Sequence, residues 1–308
     1  MLYFIVNPNS GGEKSFIKWK TVDRRLKKLK ISYKSFVTDG PGDATRIASE
    51  ICRNISGSVT IVAVGGDGTF NEVLNGIDMD ADVTLGYIPT GSGNDLAAGL
   101  HFSKNPLKAL DTVLKCRKIA EMDYGVISYG EGEIINRRFA VSGGIGYDAQ
   151  VCYSLDDSNM RRVLGKVQLQ KMAYLVIGAR DIIETKPVKG YVIIDSERKV
   201  EFNRIMFAAI QNQQTEGGGF RFAPQAVNDD GRLSVCIVHT GNKLAFTRIL
   251  AAALTGSHLK YPGVRTYDCK KIKIHLDRPM AVHVDGELCG RYADIELYCV
   301  ERKVRIIV

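Results

Sequence analysis

The stretch from Val59 to Gly76, VTIVAVGGDGTFNEVLNG, constrains the fold of this chain more than any other. It starts with an apolar, largely β-branched run that lacks polar alternation, as is typical of a buried strand in a parallel sheet. The glycine-rich residues 65–69 follow, and apolar residues then recur at helical spacing from Phe70 to Ile77. Glycines let a backbone come close to a ligand, and the start of a helix attracts anions. The stretch therefore predicts an α/β domain with a phosphate site.

Two polar residues of this stretch admit different interpretations. Thr69 and Glu72 have the spacing of a capping box, in which each side chain satisfies a backbone N–H of the first helical turn. This structural role for Thr69 is compatible with a ligand contact. Asp67 lies between glycines, where a carboxylate has little to pack against and would compete with a bound phosphate. We therefore expect Asp67 to act in function, with a cation or a hydroxyl between it and the phosphate.

The first part of the chain alternates between predicted strands and helices. The other strand patterns, each followed by a loop of small and polar residues, are Leu2–Val6 before Asn7–Gly12, Ile31–Val37 before Thr38–Asp43, and Val83–Ile88 before Pro89–Asp95. Such alternation with short loops argues for a parallel, right-handedly wound sheet. Ligands bind at the carboxyl ends of the strands in sheets of this kind. We expect the loops to converge on one site.

After about Tyr124 the pattern changes to short strands separated by turns, which predicts a second domain with a β-sandwich fold. The strand-like segments are Ile134–Ser142, Val188–Asp195, Lys199–Gln211, Leu233–His239, Lys271–Leu276, Ala281–Val284 and Ile295–Val300. The helical segments are Arg161–Ile183 and Lys243–Thr255. We place the α/β domain at residues 1–125 and the β-sandwich domain at 126–308, and leave open that the last strand packs back on the first domain.

Composition narrows the class of protein. The chain has 308 residues and a net charge of +8, and it contains no apolar run long enough to cross a membrane. Its first residues lack the pattern of a signal peptide, so we expect a cytoplasmic protein. The seven cysteines are scattered, which argues against a zinc site or a disulfide framework. The basic charge suits an anionic membrane or nucleotide phosphates, and the chain has no aromatic-interleaved basic motif of the kind that binds nucleic acid.

The common nucleotide-binding motifs are absent. The chain has no G-x-x-x-x-G-K-[ST] sequence, no G-x-G-x-x-G after its first strand and no set of protein-kinase motifs. Phosphate binding must therefore use a different glycine-rich design.

The sequence resembles the diacylglycerol kinase catalytic-domain family, which includes bacterial lipid kinases, sphingosine kinases and ceramide kinases. The matching motifs, in family order, are NPNSGG (7–12), TDGPGDA (38–44), GGDGTFNEVLNG (65–76), PTGSGNDLA (89–97), LGKVQLQKMAY (164–174), APQAVNDDGRLSV (223–235) and VHVDGE (282–287). The 164–174 segment has extra residues relative to the family pattern. The GGDGT core alone is shared with NAD kinases, whereas the ordered set is more specific.

This resemblance implies a first domain of the NAD kinase and phosphofructokinase type, a β-sandwich second domain, and ATP bound between the two. The residues that match the family's nucleotide contacts are Asn7, Pro8, Asn9, Ser10, Gly11, Thr38, Gly65, Gly66, Asp67, Gly68, Thr69, Phe70, Asn71 and Ser92. A structural Mg²⁺ in bacterial members corresponds to the carboxylate of Asp230 and the backbone carbonyls of Val227 and Arg232. The family's base aligns with Glu287, with Asp285 nearby, whereas sphingosine kinases assign the catalytic role to the aspartate that matches Asp67.

Phosphoryl transfer needs charge neutralisation and help with the proton of the attacking hydroxyl. Our hypothesis is that Asp67 positions a catalytic Mg²⁺ and that Glu287 accepts the proton. Local sequence also allows plain turns at Asp229–Gly231 and at Asp285–Gly286, the latter a type I′ hairpin signal.

The expected function is an ATP- and Mg²⁺-dependent lipid kinase of phospholipid metabolism that acts at the membrane surface, with diacylglycerol as the first candidate substrate. Sphingoid bases or phosphatidylglycerol are the close alternatives. An NAD kinase would share GGDGT but lack the PTGSGND and VDGE motifs, and a non-catalytic regulator would commonly have lost Asp67 or Glu287. The oligomeric state stays open, a homodimer included.

Overall fold

The computed structural model describes residues 1–12, 14–55, 57–91, 93–156, 178 and 180–308. Its helices are α1 (Lys14–Lys28), α2 (Asp43–Arg53), α3 (Asp67–Gly76), α4 (Asp95–Gly99), α5 (Pro106–Lys115), α6 (Tyr147–Asp156) and α7 (Lys243–Ala253), with a 3₁₀ turn at Ser257–Lys260. Its strands are β1 (Leu2–Val6), β2 (Tyr33–Val37), β3 (Val59–Gly65), β4 (Val83–Pro89), β5 (Ile119–Met122), β6 (Gly125–Tyr129), β7 (Ile135–Phe139), β8 (Ser142–Gly146), β9 (Val188–Ile194), β10 (Arg198–Gln211), β11 (Leu233–His239), β12 (Val264–Cys269), β13 (Lys271–Val284), β14 (Glu287–Cys299) and β15 (Val304–Ile307). The chain forms two compact units, Met1–Asp123 with Arg302–Val308, and Tyr124–Glu301.

The first unit is built on a sheet with the strand order β2-β1-β3-β4-β15-β5. Every pairing is parallel except that of β5, which runs antiparallel to β15. The central strands are apolar on both faces because helices cover them, and residues 61–64 of β3 are fully buried. On α1, the buried side chains of Trp19, Val22 and Leu26 form the stripe that packs on this sheet. The predicted α/β parallel sheet is confirmed.

The last strand, β15, belongs to the sheet of the first unit, although it follows the whole second unit in the chain. It lies between β4 and β5, and its side chains Val304, Ile306 and Ile307 are buried. The chain therefore completes its first sheet with its final residues.

The second unit is a nine-stranded network with the order β12-β11-β10-β8-β13-β14-β6-β7, and β9 pairs with both β10 and β13. The early residues of β10 and β13 pair with β9 and their later residues pair with β8. Register shifts accompany the change of partner, so each long strand bends. Each bent strand takes part in both layers of the unit, and the two layers enclose one apolar core. This is the sandwich-like fold that the sequence predicts.

Some elements differ from expectation. The predicted strands Lys271–Leu276 and Ala281–Val284 are one strand, β13, whose register with β14 shifts between His275 and Met280. β5, β6, β12, β15 and α6 were not predicted from the sequence. Most of the predicted helix Arg161–Ile183, including the 164–174 motif, lies outside the described residues. Among the residues that are described, no helix is long and apolar enough to span a bilayer.

Candidate active site

The loops after β1, β3 and β4 meet because these strands are neighbours in the sheet. The Asn7 N–H donates to the Val64 carbonyl at 2.9 Å, and the Thr90 N–H donates to the Gly65 carbonyl at 2.7 Å. The Thr38 N–H, after β2, donates to the Val6 carbonyl at 2.9 Å. The expected convergence of loops at one sheet edge is therefore present within the first unit.

Glycines let these loops approach one another more closely than side chains would permit. A Cβ on Gly91 would lie 2.6 Å from the Gly66 Cα and 3.1 Å from the Ser10 Oγ. Gly11 has φ of +79°, and a Cβ there would lie 3.0 Å from the Thr90 carbonyl oxygen. These glycines keep the backbone of three loops in contact, which is the property that a phosphate-binding cradle requires.

Side chains also connect the loops. Asn7 Nδ2 donates to Thr69 Oγ1 at 3.0 Å, which ties the first loop to α3. The Ser15 hydroxyl contacts the Asn7 carbonyl at 3.1 Å and the Thr90 hydroxyl at 2.7 Å. The first loop is thus fixed to both of its neighbours.

Helix α3 begins at Asp67, directly after Gly66, which is the N-cap residue. A glycine at this position brings no side chain that could occupy the helix terminus, so a ligand anion can approach the first N–H groups. The glycine-lined start of α3 is therefore suited to a phosphate group.

The predicted capping box of Thr69 and Glu72 is wrong. Thr69 lies inside α3, and the Glu72 carboxylate accepts hydrogen bonds from the Gly42 and Ala44 N–H groups, both at 3.0 Å. Glu72 therefore caps the start of α2 and holds the loop after β2. Its partner lies far away in sequence, so spacing alone pointed to the wrong neighbour.

Asp67 has a structural role that the sequence did not reveal. Its carboxylate accepts hydrogen bonds from the Asp95 N–H at 2.7 Å and the Leu96 N–H at 3.2 Å, so it caps the short helix α4. The Tyr87 hydroxyl lies 3.4 Å from the same carboxylate. Burial and the Asp67 charge raise the pKa of Tyr87 well above its usual value, so the phenol stays protonated and able to donate.

The other residues predicted to contact nucleotide differ in accessibility. Pro8, Asn9 and Ser10 lie in the partly open loop after β1, whereas Asn71 is fully buried. Phe70 is also buried and packs edge-on against Tyr87, with ring centroids 5.3 Å apart. The structure thus places the Phe70 and Asn71 side chains in the packed interior. Ser92 lies outside the described residues.

In the second unit, Asp285 and Gly286 form the turn between β13 and β14. Both have positive φ, 47° and 82°, and Val284 pairs with Glu287 across the turn. This is the type I′ geometry that the dipeptide predicts. The Asp285 carboxylate accepts N–H hydrogen bonds from Ala140 at 2.9 Å, Val141 at 2.8 Å and Ser142 at 2.9 Å, so it anchors the turn to β8 and the residues just before it.

Glu287 follows this turn as the first residue of β14. Its carboxylate forms an ion pair with Arg137 on β7, and the Glu287 side chain is 40% exposed. Desolvation lowers the pKa of Arg137, but the charge and the hydrogen bond of Glu287, with smaller contributions from Cys289 and Tyr129, together raise it. The arrangement presents a carboxylate that is held by a permanent cation and accessible to solvent.

The proposed structural metal residues lie in the loop before β11. The Asp230 Oδ1 atom accepts the Arg232 N–H at 3.0 Å, and Gly231 between them has φ of +73°. This is the turn that local sequence allows. Val227 is exposed, and Arg232 also reaches the Asp268 carbonyl at 2.5 Å. Carboxylate and backbone carbonyl oxygens are the ligand types that a hard cation such as Mg²⁺ prefers.

Sequence reasoning missed a second group of titratable side chains in this unit, formed by Asp148, Glu216 and His283. The His283 side chain is buried, with Nε2 3.3 Å from Asp148 Oδ2. Desolvation lowers the pKa of His283, but the hydrogen bond and charge of Asp148, with the charges of Glu216 and Asp285, raise it to about 8. His283 lies within the 282–287 motif, but the three residues come from distant segments, so their sequence spacing does not indicate that they meet.

Family models match almost the whole chain. Residues 1–127 match the diacylglycerol kinase catalytic domain, and residues 141–308 match the YegS C-terminal NAD kinase β-sandwich-like domain. The Bacillus subtilis (strain 168) protein YtlR, named as a candidate lipid kinase, is 28% identical over 294 residues, which are 94% of this chain and 93% of YtlR. A diacylglycerol kinase of the same organism is 28% identical over 93% of this chain and 89% of its own length.

Solved structures show the same fold. A crystal structure described as that of a candidate diacylglycerol kinase from Bacillus anthracis str. Sterne matches with a TM-score of 0.77 and 22% sequence identity. The match covers 99% of this chain and 94% of the chain in that structure. The structure of an NAD kinase from Archaeoglobus fulgidus in complex with ATP matches with a TM-score of 0.51 and 14% sequence identity. The match covers 100% of this chain and 94% of the NAD kinase chain.

Proposed function

Because the chain belongs to the diacylglycerol kinase family, we propose that it transfers the γ-phosphoryl group of ATP to the hydroxyl of diacylglycerol or a closely related lipid. The assignment to a kinase follows from the family. The lipid, the nucleotide and the place of action are the proposal.

The observation that carries the proposal is the glycine-lined meeting of three loops at the start of α3. The first turn of α3 and the loops after β1 and β4 would hold the phosphates of ATP. When bound, Mg²⁺ would neutralise phosphate charge. The expected ligand of a catalytic Mg²⁺ is Asp67, and the loop of Asp230 would hold the structural Mg²⁺ through its carboxylate and the carbonyls of Val227 and Arg232.

Asp67 can serve structure and function together. Its carboxylate accepts hydrogen bonds from the N–H groups of Asp95 and Leu96, and the Tyr87 hydroxyl lies near it. Carboxylate oxygens are also the ligand type that Mg²⁺ prefers. Capping α4 also fixes the carboxylate in place, which is what a positioned metal ligand needs.

We assign the role of proton acceptor to Glu287. The ion pair with Arg137 favours the ionised form that can accept a proton, and the side chain's exposure leaves it accessible to a substrate hydroxyl. Asp285 would act by holding the turn before Glu287, since its own carboxylate is engaged with three backbone N–H groups.

Action at a membrane surface is supported by the charge of the chain. The net charge is +8, and each Lys or Arg near an anionic bilayer contributes about 1 kcal/mol to binding. We propose peripheral association with the cytoplasmic membrane face. Related lipids such as phosphatidylglycerol or sphingoid bases are the alternative substrates, and NAD is the soluble alternative that the NAD kinase fold suggests.

The test is Mg²⁺-dependent ADP release with mixed micelles that carry diacylglycerol, sphingosine or phosphatidylglycerol, with NAD as the soluble acceptor. Labelled ATP and chromatography of the lipid would identify the product. We expect diacylglycerol to be phosphorylated, and Asp67→Asn to lower the rate at least about 100-fold because a metal ligand is lost. Asp111→Asn on α5 is the matched control and should retain wild-type turnover.

The outcomes separate the alternatives. Phosphorylation of NAD alone would contradict the assignment as a lipid kinase. A preference for sphingosine would keep that assignment but replace diacylglycerol with another lipid as the substrate. If Glu287→Gln kept near-normal turnover while Asp67→Asn abolished it, the proton acceptor would be Asp67 and our assignment would be reversed.

A further inference from the structure

Three buried side chains with metal-binding chemistry meet inside the second unit. Asp148 lies at the start of α6, Glu216 in the loop after β10 and His283 near the end of β13. One ligand atom from each lies within 4.8 Å of the other two. His283 is 3% exposed and Glu216 is 6% exposed, so the group is nearly sealed from solvent.

The polar atoms of this group point toward one another. Asp148 Oδ1 accepts the Ala149 N–H at 2.8 Å, which leaves Oδ2 directed toward His283 Nε2 at 3.3 Å. Gly144 forms one wall, because a Cβ there would lie 2.3 Å from Asp148 Oδ2 and 2.6 Å from His283 Nε2. The backbone therefore keeps a space for these atoms that any other residue at 144 would fill.

The charges of the group favour a cation. Two carboxylates in a buried place repel each other, and burial of each one is costly unless a positive charge compensates. A single imidazole can supply at most one positive charge. A divalent ion would neutralise both carboxylates and use the imidazole nitrogen as a neutral ligand.

We propose that Asp148, Glu216 and His283 bind one divalent transition-metal ion, such as Mn²⁺. One imidazole nitrogen and two carboxylates suit metals of this class, whereas Mg²⁺ and Ca²⁺ prefer oxygen ligands alone. Metal–ligand bonds of about 2.1 Å place adjacent ligand atoms roughly 3.0–3.4 Å apart. The 3.3 Å separation of Asp148 Oδ2 and His283 Nε2 already matches this spacing.

Metal binding would affect the neighbouring turn. The Gly286 N–H donates to His283 Nδ1 at 3.3 Å. A metal at Nε2 places the ring proton on Nδ1, so this long hydrogen bond is exchanged for the metal bond. Metal binding would therefore change the hydrogen bonding of the Asp285–Gly286 turn, so the amide of Gly286 can be used to detect the bound ion.

This site uses no residue of the proposed Asp230 site and does not depend on the proposed kinase substrate. The test uses full-length, nucleotide-free protein that is titrated with Mn²⁺ in excess Mg²⁺, which occupies sites made of oxygen alone. Mn²⁺ is chosen because it has low affinity for the free cysteines. Electron paramagnetic resonance of unbound Mn²⁺ gives the stoichiometry and the dissociation constant.

We expect one Mn²⁺ per chain in the wild type, in Asp230→Asn and in the exposed control Glu201→Gln. Glu216→Gln should weaken binding at least tenfold, since it removes a charged ligand. Bound Mn²⁺ should also broaden the amide resonances of Gly144 and Gly286 in the wild type and leave them sharp in Glu216→Gln. If Glu216→Gln does not fold, Asp148→Asn provides the same comparison.

No stoichiometric Mn²⁺ in the wild type, or equal affinity in Glu216→Gln, would overturn the proposal. Loss of the ion in Asp230→Asn with retention in Glu216→Gln would also overturn it, by assigning the ion to the other loop.

Discussion

Asp285 shows how one carboxylate can determine the shape of a whole turn. It takes positive φ at a position where Asp and Asn are tolerated better than other side chains, and it receives three backbone N–H groups from the residues around the start of β8. These three hydrogen bonds join the end of β13 to the start of β8, in addition to the hydrogen bonds between the two strands.

We expect Asp285→Ala to lower the free energy of unfolding by roughly 3 kcal/mol, because buried N–H groups lose their acceptor and alanine is strained at this φ. Asp285→Asn keeps one acceptor and tolerates the conformation, so it should cost less. Urea unfolding of both variants measures the difference. Equal stability of Asp285→Ala and the wild type would show that the anchor is dispensable.

The residues also show what sequence could and could not reveal about the site. The strand–glycine–helix pattern around Gly65 predicted the loop convergence because it depends on local periodicity and sheet topology. The cap that Asp67 gives to α4 and the cap that Glu72 gives to α2 depend on partners far along the chain. Local spacing therefore located these residues but misjudged what they contact.

Among the helices, α2 and α3 pack with almost no space between them. Gly76, at the end of α3, touches the backbone of α2, and a Cβ there would lie 2.2 Å from the Thr45 carbonyl oxygen and 2.9 Å from the Ala48 Cβ. The Thr45 hydroxyl donates to the Glu72 carbonyl at 2.9 Å and holds the pair together. The glycine allows the helices to approach closely.

Gly76→Ala should therefore destabilise the protein by about 2 kcal/mol, since the clash is with backbone that cannot rotate away. Gly40→Ala is the control, because a Cβ at Gly40 meets nothing within 4 Å. Chemical denaturation should separate the two variants. A Gly76→Ala protein as stable as Gly40→Ala would mean that the helices can shift apart at little cost.

The 3₁₀ turn at Ser257–Lys260 is attached to the sheet of the second unit by a buried histidine. His258 Nε2 lies 3.6 Å from Cys236 Sγ on β11 and 3.2 Å from the Phe222 carbonyl. Burial lowers the pKa of His258 below its usual value of 6.5, despite the raising effect of the Phe222 carbonyl. The folded state therefore holds this ring neutral.

Since the unfolded chain takes up a proton on His258 near pH 6.5 and the folded chain does so only at lower pH, stability should fall as pH decreases below 6.5. One such group contributes a slope of at most about 1.4 kcal/mol per pH unit. The unfolding free energies of the wild type and His258→Gln should be measured from pH 7.5 to pH 5. As pH falls, the wild type should lose more stability than the variant, which has no imidazole at this position. A constant difference would contradict this assignment.

At the level of elements, short edge strands were the hardest to foresee. β5 is largely exposed and pairs with β15, from which the whole second unit separates it in the chain. In β12, buried and exposed residues alternate only weakly, because this strand forms the outer edge of its sheet. Buried central strands such as β3 carry a continuous apolar signal, whereas edge strands acquire their structure from a distant partner and leave little local pattern.

For the whole molecule, the position of β15 makes the first unit discontinuous in sequence. The strand supplies three buried side chains, Val304, Ile306 and Ile307, and fills the position between β4 and β5. Each such side chain contributes about 1.5–3 kcal/mol on burial.

Deletion of residues 302–308 should therefore prevent stable folding of the first unit, since both neighbouring strands lose a hydrogen-bonding partner as well. Removal of Val308 alone is the control and should leave the fold intact. Circular dichroism and limited proteolysis would compare the two proteins. A truncated chain with a wild-type melting transition would show that β4 and β5 are stable without the strand between them.

The same topology determines the order in which the protein can be completed during translation. N-terminal domains generally fold first as a chain emerges from the ribosome. Here residues 124–301 form a contiguous unit, whereas the sheet that includes β1 also needs β15 at residues 304–307, which follow that unit in the chain. The unit that contains the first strand is therefore completed only after the whole second unit has been synthesised, and its glycine-lined loops belong to a sheet that still lacks one strand when every residue of the second unit is already present.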